Sequence, residues 1–205
     1  MSKHQKIEAA IPAAQLTPEV CAAFGQLSDE NALLRASLSQ MRDRLFELED
    51  GADRDTLTPL PNRRCFLREL ERVVSKANRH GTPAAILYVD MAGLKELNDR
   101  HGHFAGDSAI IHVARLLAGL IRSTDVAARI SGDEFGLILD HLDHNSAIET
   151  GERIAKCISE RPLDIGGALV TVEVAVGTAT ILPGDSVDDV LKRAERIMER
   201  TKTGN

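Results

Sequence analysis

Apolar residues in the first quarter of the chain recur at heptad spacing. Val20, Leu27, Leu34, Met41 and Leu48 fall at d, and Phe24, Leu38 and Leu45 at a. Such a seam predicts a coiled-coil dimerisation helix over residues 17–50, opened by Thr17 as N-cap and Pro18 in the first turn. Asn31 takes the remaining a position, where an amide is best satisfied by its symmetry mate in a parallel two-stranded coil. Glu30 at g then faces Arg35 at e of a second copy, and Arg44 at g faces Glu49 at e. An amphipathic helix folded onto its own domain would carry the same stripe over a few turns. Residues 1–16 lack any sustained period and read as a mobile N-terminus, and a polar hinge is expected at 51–56.

Beyond the hinge the period changes, and residues 57–205 read as one domain of mixed elements. Helices are predicted over 67–77, 108–121, 146–159 and 187–201. Strands are predicted over 84–89, 126–130, 135–139 and 168–180, the middle two forming a hairpin around Ser131-Gly132-Asp133-Glu134. The expected class is α/β (α+β): a βαββαβ sheet covered by helices.

Composition narrows the function. Lys and Arg number 25 against 31 Asp and Glu, a net charge of -6, which argues against a sequence-blind nucleic-acid binder. No apolar run is long enough for a membrane span and the start lacks a secretory core, so a cytoplasmic protein is expected. Cys21, Cys65 and Cys157 match no metal spacing and read as free thiols.

Candidate chemistry gathers at two places. Asp90 ends an apolar strand, where ligands of open α/β sheets bind, although an acid there also caps turns. The hairpin adds Asp133 and Glu134. If its strands pair beside that of Asp90, three carboxylates converge, and a divalent cation is their natural neutraliser. All-oxygen ligation favours Mg2+ or Mn2+ over zinc. Between them, Lys95 offers a point charge to phosphate, while Asn98 and Asp107 offer an amide and a carboxylate suited to guanine. Each taken singly also suits a cap or turn.

Four motifs in order carry a family resemblance. Asp55 to Arg64 reads DTLTPLPNRR and resembles the entry motif DxLTxLxNRR of the GGDEF domain, the diguanylate cyclase family. Val89-Asp90 through Lys95 to Asn98-Asp99 resembles its metal and guanine segment, and Gly102-His103 to Gly106-Asp107 its GHxxGD segment. Ser131-Gly132-Asp133-Glu134-Phe135 resembles its signature loop, as SGDEF. The resemblance implies a nucleotidyl-cyclase-like fold in which Asp90, the Met91 carbonyl, Asp133 and Glu134 hold the metals. It further implies that Asn98 and Asp107 read guanine, that Leu94 also lies in the substrate-binding segment, that Lys95 and Lys202 touch the triphosphate, and that Asp133 or Glu134 assists deprotonation of the ribose 3'-hydroxyl. The implied reaction joins two GTP into cyclic di-GMP and two pyrophosphates between facing domains, which a homodimer through residues 17–50 would hold together. Arg122 to Asp125 resembles the family's inhibitory RxxD site for the product, with Arg129 a further contact. An unidentified regulatory protein is a second expected partner; nucleic acid and membrane are not.

Ser131 replaces the first glycine of the signature, and Ala92 and Leu94 replace the usual second acid and phenylalanine. Glu199 stands where the family often has tyrosine, and Lys202 to Asn205 lacks the usual arginine. These departures keep open a catalytically silent module that binds cyclic di-GMP or GTP and signals through its coil.

Overall fold

A computed structural model describes residues 17–203, side chains at 42–52 and 203 excepted. The expected mobile stretch 1–16 lies outside the described residues, as do the side chains of Arg44, Leu45, Leu48 and Glu49. Helix α1 runs Pro18–Asp53, and Thr17 Oγ1 accepts from Val20 N at its start. Up to Met41 none of its described side chains is buried. The expected hinge begins later than its polarity suggests, because the helix continues through Gly51 and Ala52 to Asp53. The Asp53 carbonyl accepts Asn62 N at 2.7 Å, and its carboxylate pairs with Arg64 and Arg68, contacts that lie within the unit that begins at Asp53.

Residues 53–205 form a second compact unit. Helix α2 (Arg63–His80) is capped by the Asn62 side chain and ended by Gly81 at φ 64°. Strand β1 (Ala84–Ala92) leads to α3 (Leu94–His101) and α4 (His103–Leu120). The hairpin β2 (Val126–Ser131) and β3 (Glu134–Asp140) precedes α5 (His144–Ser159). A short hairpin, β4 (Leu163–Ile165) and β5 (Ala168–Val170), is followed by β6 (Glu173–Thr180) and α6 (Val187–Thr203).

The main sheet is antiparallel in the order β2-β3-β1-β6. Along β1, alternate side chains enter different cores. Ala84, Ile86 and Tyr88 pack with Phe66 and Leu70 of α2 and Val190 of α6, while Leu87, Val89 and Met91 pack with Val113 of α4 and Ile154 of α5. A strand buried on both faces reads as a continuous apolar run, which is why AAILYVDM lacks polar alternation. Asp90 falls on the α2/α6 side by the same alternation.

Two elements differ from expectation. The single strand over 168–180 is two, because β5 ends at Val170, paired with β4 across the positive-φ turn of Gly166 and Gly167, and β6 starts at Glu173 in the main sheet. Helix α3, which carries Lys95 and Asn98, was not predicted. The three cysteines are free. Among the described residues no helix is long and apolar enough to cross a membrane.

Candidate active site

The register of β1 against β3 sets Asp90 directly opposite Glu134. Their pairing continues into the turn, where Met91 N donates to the Asp133 carbonyl at 3.1 Å. Gly132, at φ 30°, allows a tight reversal that leaves both acids of the signature at one strand end. Phe135 is fully buried and anchors the loop in the second core.

Arg129 fixes this turn from behind. Its Nε and Nη2 donate to the Gly132 carbonyl at 2.9 and 2.7 Å, and its Nη1 donates to Asp55 Oδ1 at 3.1 Å. Asp55 also accepts the amides of Leu57 and Thr58, so the entry motif and the signature motif are two ends of one hydrogen-bonded clamp.

Asp90 is 5% exposed. Burial pushes its carboxyl above the ordinary value, the Lys202 ammonium opposes that, and the charges of Asp133 and Glu134 add to it. Lys202 Nζ lies 2.5 Å from Asp90 Oδ1, an ion pair, yet that oxygen has no partner in hydrogen-bond geometry. Lys202, expected on a triphosphate, thus sits on the carboxylate expected to hold metal. Glu134 Oε2 accepts from the Tyr88 hydroxyl at 3.2 Å and from the Ser131 hydroxyl. Burial, and then the Glu134 charge, push the Tyr88 phenol upward, so it stays a donor.

The expected convergence of three carboxylates takes a looser form. Asp90 and Glu134 face each other across the strands, and Asp133 acts on Asp90 by charge, but among the described residues no three His, Cys, Asp or Glu side chains form a ready metal cage.

The guanine candidates lie on the neighbouring helices. Asn98 of α3 packs against α4 at Gly106, where any Cβ would overlap its Oδ1, and that buried oxygen has no partner. Asp107 and Lys95 are exposed, and Leu94 is half-buried against the second core. Gly102 N donates to the Asn98 carbonyl at 2.8 Å and ties the two helices together.

Arg122 and Asp125 stand at the opposite end of β2 from the signature turn, about 17 Å away along six residues of strand. Asp125 accepts Arg122 N at 3.0 Å and Asp140 N at 3.3 Å. They border a hollow of about 220 Å3 whose far wall carries Thr150 and Arg153 of α5. Arg129, expected here, does not line that hollow, because its guanidinium is committed to Asp55 and Gly132. Arg153 takes the place of a second cation, which spacing along the chain could not reveal.

Residues 52–205 match the family described as diguanylate cyclase, GGDEF domain. The chain belongs to the GGDEF family. Diguanylate cyclase TpbB of Pseudomonas aeruginosa is 34% identical over 158 residues, 76% of this chain and 35% of that protein. The chain spans about a third or less of the length of the first curated relatives it matches, between 19% and 35%. Among solved structures, the coiled coil and GGDEF domain of DgcB from Caulobacter crescentus in complex with c-di-GMP superposes with a TM-score of 0.76 at 29% identity, covering 87% of this chain and 95% of that one. Diguanylate cyclase SiaD of Pseudomonas aeruginosa, in complex with its activator SiaC, gives 0.80 at 26% identity, over 94% and 74%. The mixed fold of this GGDEF protein is shared with both.

Proposed function

We propose that this GGDEF protein is a diguanylate cyclase that condenses two GTP into cyclic di-GMP and two pyrophosphates across a homodimer. The observation that carries the reading is the β1–β3 register, which pairs Asp90 with Glu134 beside the Asp133 turn. The donors fit Mg2+ or Mn2+: they are all oxygen, and Asp90 is a buried carboxylate whose Oδ1 is met by a cation, the Lys202 ammonium. Asp90, the Met91 carbonyl, Asp133 and Glu134 would hold the cation, which when bound polarises an α-phosphate and lowers the pKa of the attacking hydroxyl. Asp133 or Glu134 accepts the 3'-hydroxyl proton. Asn98 Oδ1 and Asp107 accept from the guanine N1–H and amine, the unpartnered Asn98 oxygen being an acceptor in need of a donor. Lys202 moves from Asp90 to phosphate as substrate arrives, with Lys95 a second cation.

Two domains, each with one GTP, must face one another, and the heptad seam of residues 17–50 supplies the dimer. Product binds in the hollow of Arg122, Asp125 and Arg153, where two guanidinium forks suit guanine and phosphate. A regulatory protein acts through the helix, and the protein works in the cytoplasm. Incubation of nucleotide-free protein with GTP and Mg2+ or Mn2+ should yield cyclic di-GMP by mass spectrometry, and Asp133→Ala should yield none. Ser131, Ala92 and Glu199 favour a silent binding module as the second reading. A folded dimer that makes no product but binds cyclic di-GMP by calorimetry, and loses that binding in Arg122→Ala or Arg153→Ala, would establish it over the cyclase.

A further inference from the structure

Glu134 is held by two hydroxyls on the same oxygen. Oε2 accepts both from Ser131 and from Tyr88, residues on two different strands that flank β3. Ser131 stands directly opposite Glu134 in the β2–β3 register, and Tyr88 precedes Asp90 by two on β1, on the same face of the sheet. Two O–H donors occupy the lone pairs of Oε2 and leave Oε1 open. Bringing both oxygens to one ion would claim a lone pair of Oε2 and break at least one of these bonds, and the phenol that makes one of them is fixed by a ring packed in the first core at 6% exposure. Where the family usually has glycine, no hydroxyl is available, so this clamp is built from the position at which the signature departs.

Resting on the reading of Glu134 as a metal ligand, we infer that Ser131 and Tyr88 are positioning residues that make Glu134 a one-oxygen ligand and thereby set the site against Ca2+. Mg2+ takes single oxygens at near-octahedral geometry, whereas Ca2+ takes six to eight oxygens and gains from bidentate carboxylates. A carboxylate restricted to one oxygen costs the larger ion a donor and costs Mg2+ none.

The test is calorimetric binding of Mg2+ and of Ca2+ to the full chain in the presence of a GTP analogue whose α–β bridge is methylene, so that no reaction occurs. Ser131→Ala with Tyr88→Phe should tighten Ca2+ about tenfold while Mg2+ changes by less than about threefold. Ser131→Thr, which keeps the hydroxyl, should preserve the original ratio. Should the double variant fail to fold, Ser131→Ala alone, at the exposed end of β2, should shift the ratio in the same direction. An unchanged ratio in the folded hydroxyl-deleted protein overturns the clamp. Glu134→Gln separates the two levels: if it weakens both ions while the hydroxyl deletions leave their ratio alone, only the clamp falls. If Glu134→Gln changes neither ion, the ligand reading falls with it.

Discussion

Helix α1 and the sheet domain use the same apolar side chains to opposite ends. Leu87 and Val89 of β1 are fully buried, whereas Leu27, Leu34, Leu38 and Met41 of α1 are 51–63% exposed. The domain closes both faces of its sheet with its own helices. The described part of α1 has a heptad stripe and buries nothing. A leucine row left in water is an unfavourable surface for a lone chain, and its 3.5-residue period matches a second helix better than a flat domain face. One region is therefore specified by contacts within the chain, and the other carries a stripe that the proposed homodimer would cover.

The largest effect should come from charging the stripe. Leu27→Glu with Leu34→Glu should give a monomer by light scattering, and cyclic di-GMP formation at submicromolar protein should fall by about 100-fold, the scale of a lost effective concentration. The melting temperature of the sheet domain should stay where it is. Full activity from a monomer would sever the proposed link between coil and chemistry.

The converse lesion should strike the domain and spare the dimer. At Gly177 of β6 a Cβ would overlap the Ala194 carbonyl oxygen of α6, a backbone atom that cannot turn aside. Gly177→Ala should lower the melting temperature by about 6–10 °C through overpacking, with dimer mass unchanged.

How much of this was readable depends on how far apart the interacting residues are. Period alone exposed α1, the signature hairpin and α6, because their apolar spacing persists over several turns or alternations. Helix α3 escaped because its eight residues hold only Leu94 and Leu97 as apolar marks, too few for a period. Gly166-Gly167 signalled the turn before β5, but the break after Val170 falls at Thr171-Val172, where no glycine or proline marks it. Within the site, short-range motifs flagged Asp90, Asn98 and the signature acids. The Arg129 clamp to Asp55 and the approach of Arg153 to Arg122 join distant segments, and no local pattern encodes them.

A smaller effect should sharpen the specificity of the coil. In the proposed coil Asn31 at a would cost stability and fix register. Asn31→Leu should raise the thermal stability of the assembly while adding higher oligomers in sedimentation equilibrium. A cleanly dimeric Asn31→Leu protein would mean that register is set elsewhere.

The smallest effect lies where α1 ends. Asp53 Oδ1 accepts from Arg64 Nε and Nη2 at 3.0 and 2.7 Å, and its Oδ2 lies 2.6 Å from Arg68 Nη1. The Arg64 hydrogen bonds, and then those of Arg68, hold its carboxyl below the ordinary 3.8. A depressed folded value means that the unfolded chain takes up protons first as pH falls, so the contribution is complete above 3.8 and disappears as pH drops through the folded value. Both arginines are more than half exposed, at 59% and 52%, so water and salt screen the contact heavily. Asp53→Asn should therefore lower the melting temperature by only about 2–3 °C at neutral pH. The gap to the parent should begin to close below 3.8 and should narrow in high salt. A gap that persists unchanged into acid would assign the loss to packing around Asp53 rather than to its charge.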